Sequence, residues 1–369
     1  MARAYGFRVF LVEAFPNRAK GNEAIAADVD SGLPEEVTLL LERIKARGTQ
    51  RFEPTPDADG NFKQPVKTAT ITFVELIKPG IIHVTLSVGE EGSHAKATKP
   101  KKKAKNLLGW SAEADHEVSI IFPSAPDSRF LLATQTYRRR DPHQRLLSML
   151  RTESIVLRQE RTDRDKSVRE EAKARGEKAP KVQKFKRLAF ASNQASDNDY
   201  LDEILTGADA ATVVFKSKAM DAKGAVDYID RVLQIKLRDQ NIIDVGRAVS
   251  RTWANAWRSG GGTSQRDAVS EVSDLLIERD LLDEGEQDHY ESAAINVRGK
   301  TEASTTIAVD TLRDAFTYPL SDLRPQPYAF YDKVASRVAK IAAQEDLEIE
   351  AIDAHEVARC LTESHPGGL

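Results

Sequence analysis

The sequence predicts an α+β protein with an N-terminal antiparallel sheet and packed helices, a small inserted α/β unit and a mainly helical C-terminal part. Three observations predict it. Apolar strand-like runs arrive as hairpins over the first 140 residues, with an amphipathic helix among them; a long charged stretch then interrupts them; beyond residue 240 the apolar spacing turns helical. At 369 residues the chain exceeds a usual single domain, so at least two units are expected. The expected divisions are 1–152 for the N-terminal core part, 153–231 for a basic linker with the inserted domain, and 232–369 for the helical part packing back on the core.

The elements follow in order. Tyr5 to Phe15 reads as a largely buried strand ended by Pro16. Pro34 to Arg47 places Val37, Leu40, Leu41 and Ile44 on one helical face, and Gly48 stops it. Thr68 to Ile77 and Ile81 to Val88 form a hairpin through Lys78-Pro79-Gly80, where proline and glycine supply the turn dihedrals. His116 to Phe122 and Arg129 to Tyr137 give two more strands around the turn Pro123 to Ser128. Pro142 then opens a helix whose apolar stripe is Leu146, Leu147 and Leu150. From Arg158 to Arg187 charge dominates, which fits a solvated helix, a linker or a disordered arm. Balanced pairs four residues apart permit a helix there.

The middle part reads as a strand at Leu188–Ala191, a helix at Asp199–Leu205, a strand at Ala211–Lys216, a helix at Asp221–Arg231 and a strand at Val232–Leu237. Beyond it, Asn241–Arg258 has Ile242, Val245, Val249 and Trp253 at helical spacing, ended by Gly260-Gly261-Gly262. Helices are also predicted at Thr263–Leu282, Tyr328–Ala343 and Ala354–Leu361, with a strand at Leu347–Ile352.

The formal net charge of −3 hides an asymmetry. From Lys96 to Arg187 there are 24 Lys and Arg against 12 Asp and Glu, so this segment carries +12 and the remainder −15. A stretch this basic is the footprint of a polyanion binder, because cations that neutralise phosphates release condensed counterions. Lys96, Lys99, Lys101, Lys102, Lys103 and Lys105 form a loop suited to gripping phosphates without reading bases. Arg138, Arg139, Arg140 and Arg145 cluster at a helix start, where they make sense if an anion visits. Lys181, Lys184, Lys186 and Arg187 form a second contact. Arg247 and Arg251 lie within about 40° of each other on a helix and can lie along a backbone. The bland alternatives are a solvated loop for the lysines, and arginines paired with the acidic remainder of the chain.

Enzyme signatures are poor. His355-Glu356 lacks the second histidine of a zinc protease helix, and there is no Walker A loop, nucleophile elbow or dinucleotide fingerprint. No cofactor, metal site or catalytic residue is expected. Glu75 and Lys78 invite a nuclease reading, but in a regular strand their spacing puts them on opposite faces. The single cysteine, Cys360, excludes an intramolecular disulfide and fits a reducing compartment. No apolar run approaches the roughly 18 to 20 residues of a membrane span, and Arg8 and Glu13 interrupt the short N-terminal apolar stretch. A cytoplasmic protein is expected.

The strand RFLLATQTYRRR with its leucine helix, the middle α/β unit and the passage DYIDRVLQIKLRDQNIIDVGRAVSRTW resemble the RexA-like phage exclusion proteins. The order of segments is similar, more distantly, to the RdgC family of nucleoid-associated recombination regulators, and KwaB-like components of the Kiwa defence system are a further comparable group. The resemblance spans about Ser128 to Trp257; the lysine loop and the charged segment from Arg158 lie outside its pattern. It implies DNA binding without base specificity, dimerisation, a core interrupted by a small domain, and a role in sensing infection beside a membrane-protein partner. No individual residue is carried over from it.

The expected function is therefore DNA binding, to duplex, without strong sequence specificity, by a homodimer acting in anti-phage defence or phage exclusion. A metal-dependent nuclease of a defence system and a non-catalytic scaffold that binds an acidic partner are the alternatives.

Overall fold

The computed structural model describes residues 4–16, 32–54, 65–91, 96–97, 105–106, 111–137, 141–178, 180–181, 187–195, 197–220, 227–237, 244–249, 265–299, 304–308 and 316–364. The protein is of the α+β class. Its chain forms two compact units, one of 5–193 with 320–369 and one of 194–319 with the first four residues. These divisions fall at 193/194 and 319/320, and helix runs unbroken through 152/153.

The larger unit is built on an antiparallel sheet. Its strands are β1 (Tyr5–Pro16), β2 (Gln50–Phe52), β3 (Lys67–Lys78), β4 (Ile81–Glu91), β7 (Ser111–Ile121), β8 (Arg129–Tyr137), β9 (Leu188–Gln194) and β14 (Tyr318–Ser321). The order is β14-β1-β8-β7-β4-β3-β2, with β9 also pairing β1. β5 (Lys96–Ala97) and β6 (Lys105–Asn106) pair with each other between β4 and β7.

Alternation decides which side chains face which layer. Phe10, Val12, Ile82, Val84, Leu86, Val118, Ile120, Phe130 and Leu132 point to one face. There they meet α1 (Leu33–Arg47) through Val37, Leu40, Leu41 and Ile44, and α2 (His143–Ala174) through Leu146, Leu147 and Leu150. The other face receives α5 (Pro327–Gln344), whose Phe330, Tyr331, Val334, Val338 and Ile341 are buried. Phe330 meets Phe7 of β1 edge-on at 6.2 Å between ring centroids. α6 (Ala354–Ser364) packs against α5, burying Val357 and Leu361. Within this unit the helices α5 and α6 therefore lie with the N-terminal sheet.

The charged stretch from Arg158 is helical as far as Ala174. At about 1.5 Å per residue, α2 is about 48 Å long. Its first half is fastened to α1 by ions as well as by leucines. Buried Glu153 is gripped by Arg43 at 2.8 Å and Arg47 at 2.6 Å, and Arg161 reaches Glu36 at 2.8 Å. Further along, Arg169 pairs with Asp165 at 2.9 Å and Lys166 with Glu170 at 3.9 Å, both four residues apart. Much of the later basic run is therefore answered locally.

The smaller unit has a four-stranded antiparallel sheet of order β11-β10-β12-β13, from β10 (Ala208–Met220), β11 (Asp227–Leu237), β12 (Ser292–Gly299) and β13 (Ser304–Ala308). One face of it, through Val213, Phe215, Ile295 and Val297, meets α3 (Asn198–Thr206), a helical segment at 244–249, and α4 (Gln265–Ile277). Gly246 allows the helical segment to close on α3, because a Cβ there would overlap the Leu205 methyl carbons.

Two expectations need correction. Residues 227–231, predicted as helix, belong to strand β11, where Asp227, Tyr228, Ile229 and Arg231 pair with Met220, Ala219, Lys218 and Ser217. Backbone pairing to the preceding strand β10 overrides the helical spacing there. The strand predicted at Leu347–Ile352 is reduced to one bridge between Ile349 and Pro123, beside a Ser124 N–H donating to the Glu348 carbonyl at 2.7 Å. The Asp353 carboxylate accepts from His355 N–H at 2.8 Å and turns the chain into α6 instead. The C-terminal part also contributes β12, β13 and β14, which sequence reasoning did not pick out. Among the described residues, no helix is long and apolar enough to cross a membrane.

Candidate nucleic-acid interface

The two ends of the lysine run, Lys96 and Lys105, lie in paired strands. β4 and β7 pair continuously from Ile81↔Ile121 to Glu91↔Ser111. Beyond that pairing, Lys96↔Asn106 and Ala97↔Lys105 join as β5 and β6. Lys96 and Lys105 thus stand on neighbouring strands of one ribbon, and the chain between them carries Lys99, Lys101, Lys102 and Lys103, which lie outside the described residues. No acidic residue occurs between Lys96 and Lys105.

The arginine cluster is only partly visible, since Arg138, Arg139 and Arg140 lie outside the described residues. Arg145 lies over the Phe52 ring, its guanidinium carbon 4.7 Å from the centroid. The start of α2, expected to receive an external anion, holds an internal one. Asp141 accepts from His143 N–H at 3.2 Å and from His143 Nδ1, while Arg8 Nη1 meets its other oxygen at 3.0 Å. The His143 ring stacks on Phe10 with centroids 3.8 Å apart. Burial pushes the Asp141 carboxyl up, but the His143 bond and the charges of His143 and Arg8 outweigh it and hold it below the usual range.

Of the remaining predicted contacts, Lys181 is exposed and Arg187 half-buried just before β9, while Lys184 and Lys186 lie outside the described residues. Arg247 is paired with Asp202 of α3 at 3.0 Å, and Arg251 lies outside the described residues. Backbone pairing brings Lys96 and Lys105 onto neighbouring strands; for the other clusters no comparable gathering occurs among the described residues.

Sequence reasoning missed a polar seam under α5. On β4, His83, Thr85 and Ser87 alternate with the apolar core positions, and Asp115, Glu117 and Ser119 do so on β7. His83 Nδ1 lies 2.9 Å from Tyr331 Oη and its Nε2 3.3 Å from Glu117. Thr85 Oγ1 donates to Glu117 at 3.1 Å. Arg324 spans Asp115 at 2.9 Å and Glu117 at 3.1 Å. Burial pushes the Glu117 carboxyl up, yet the His83 bond and charge, joined by Arg324, hold it below the usual range. Burial also raises the Tyr331 hydroxyl, and on the opposite face of the sheet it lowers the His116 imidazole, whose Nδ1 donates to the Gln135 carbonyl at 3.0 Å. The signal was present as polar residues at every second position; that both sides of the sheet are covered was not. With His83, Glu117 and Tyr331 at most 1% exposed, this seam fastens α5 and the strand before it rather than meeting a ligand.

The nuclease pair also changes. A register shift between Leu76 and Lys78 breaks the regular alternation assumed for Glu75 and Lys78. Lys78 is engaged by the Ala351 carbonyl at 2.5 Å and by Glu350 at 3.7 Å. Among the described residues, no group of three His, Cys, Asp or Glu side chains is placed to hold a metal ion. Compared with protein-family models, curated proteins and solved structures, the chain finds no match.

Proposed function

We propose that this protein binds duplex DNA without strong base specificity, using the lysine-bearing ribbon as its main grip, and acts in the cytoplasm as a homodimer in anti-phage defence or phage exclusion. The observation that carries the DNA-binding reading is the ribbon pairing of β5 and β6, which brackets six lysines with no intervening acid. Cations concentrated this way repel one another and are relieved by a polyanion. A paired ribbon is also narrow enough for a groove or a backbone. The defence role rests on the resemblance to RexA-like and KwaB-like proteins, which also motivates dimerisation and a membrane-protein partner.

Six lysines each meeting one phosphate give a slope of about −5 in a plot of log affinity against log salt. A mobility-shift titration with duplex DNA, single-stranded DNA and RNA, with and without magnesium or manganese, tests this. The expected result is metal-independent duplex binding that weakens steeply with salt and differs little between sequences. A flat salt dependence, or no binding to any duplex at low salt, rejects the reading. Nicking that needs the metal points instead to the nuclease alternative, and retention of a protein partner without nucleic acid to the scaffold.

A further inference from the structure

The smaller unit is electrically two-sided. Its helices display acids, among them Asp199, Glu203 and Asp274, all exposed, and Glu278 follows in the turn after α4. The strand face turned away from those helices displays cations. Lys216 of β10, Lys236 of β11 and Arg298 of β12 are exposed there, on the opposite side of their strands from the core residues Val213, Phe215, Ile295 and Val297. No ion pair among the described residues involves any of the three.

Register fixes their spacing. Lys216 is opposite Val232, Lys236 is opposite Thr212, and Arg298 is opposite Ala210. At about 3.3 Å per residue these rows put Lys236 about 13 Å and Arg298 about 20 Å along the strand direction from Lys216. Among the described residues, positions on this face in the rows of residues 210, 212, 214 and 216 hold no carboxylate. In the middle row Val214 stands between Gln234, which is exposed, and Ala294 and Ala308, and Val214 and Ala308 are buried, so the ligand is met by the flanking cations rather than by this row. The span of about 20 Å matches about six steps of 3.4 Å along one DNA strand.

We propose that this strand face is a second contact surface for the DNA phosphate backbone, with Lys216, Lys236 and Arg298 each meeting a phosphate. This rests on the DNA-binding reading and adds to the ribbon a site of different make. The face presents separated cations on a rigid sheet, so it positions a backbone and reads no base edges.

The test uses the full chain and a fluorescent 20-base-pair duplex, with anisotropy read across a salt series. Three proteins are compared: wild type, the face variant Lys216→Gln/Lys236→Gln/Arg298→Gln, and a control with equal charge loss at the end of α2 and the residue after it, Lys166→Gln/Lys173→Gln/Arg175→Gln. The face variant is expected to bind at least about tenfold more weakly, with a salt slope shallower by about 2.7, as three lost phosphate contacts require. The control is expected within about twofold of wild type. As a gain in the opposite direction, Asn296→Lys on the same face should steepen the slope by about 0.9; it also serves if the triple variant fails to fold. An unchanged slope in the face variant, with wild type binding, overturns the surface and leaves DNA binding standing. Equal losses in face variant and control reduce the effect to net charge and overturn it too, and a wild type that binds no duplex overturns both readings.

Discussion

At Glu117 burial and charge oppose each other, and charge wins. The carboxylate is 1% exposed, yet His83 and Arg324 favour its ionised form and hold its pKa below the usual glutamate range. A group whose folded pKa is depressed contributes stability that is fully present above its unfolded value, near 4.3, and that is lost as pH falls through the folded value. Glu117→Gln is therefore expected to lower stability at neutral pH by about 2 kcal/mol, since it leaves Arg324 and His83 beside a neutral group. The difference from wild type should shrink toward zero below about pH 4. Melting temperatures of both proteins across pH 3 to 7 check this, and parallel curves would remove Glu117 from the account. The residue was visible in the sequence only as one polar position in an alternating strand. What makes it energetic is α5, which covers that side of the sheet with residues more than 200 positions away.

Among the elements, the β3–β4 hairpin was the most legible. Pro79-Gly80 specified a turn, and Gly80 takes φ +85°, a conformation that side chains rarely adopt. Gly80→Ala should cost about 1 to 2 kcal/mol through that dihedral, read as a lowered urea midpoint with an unchanged slope. Helix α1 was equally legible, its stripe of Val37, Leu40, Leu41 and Ile44 standing buried as the spacing required. Helix α2 was legible for its leucines and open thereafter. Its continuation to Ala174 follows from ion pairs to α1 and within itself, a balance that composition permits without requiring. Strand β11 was misread in its first half because its reason lies in β10, not in its own residues. For the ribbon, the sequence showed lysines in a loop; the pairing of Lys96 with Asn106 and of Ala97 with Lys105 fixes the two ends of that loop side by side.

On the scale of the molecule, two separate apolar cores run through the chain, one under α1 and α2 and one centred on Phe215 and Ile295. Each belongs to one compact unit, the smaller lying as an insertion between 193 and 320. Separate cores of this kind are expected to melt as separate transitions in calorimetry. Phe215→Ala, which empties a fully buried position, should destabilise the smaller unit by about 3 to 5 kcal/mol and shift one transition while leaving the other in place. A single transition that moves as a whole would mean that the units unfold as one.

The sequence was sufficient for the α+β class, for the hairpins and amphipathic helices, and for the location of the excess positive charge. These depend on local periodicity, turn chemistry and composition, which neighbours along the chain supply. Only the tertiary structure decided which charges are spoken for, with Asp141 held by His143 and Arg8, Glu153 by two arginines of α1, and Arg247 by Asp202. It alone placed Lys216, Lys236 and Arg298 of the smaller unit on one face. Such outcomes depend on which distant residues burial and register bring within a few ångströms, and electrostatic energy is set by those distances and by the exclusion of water around them.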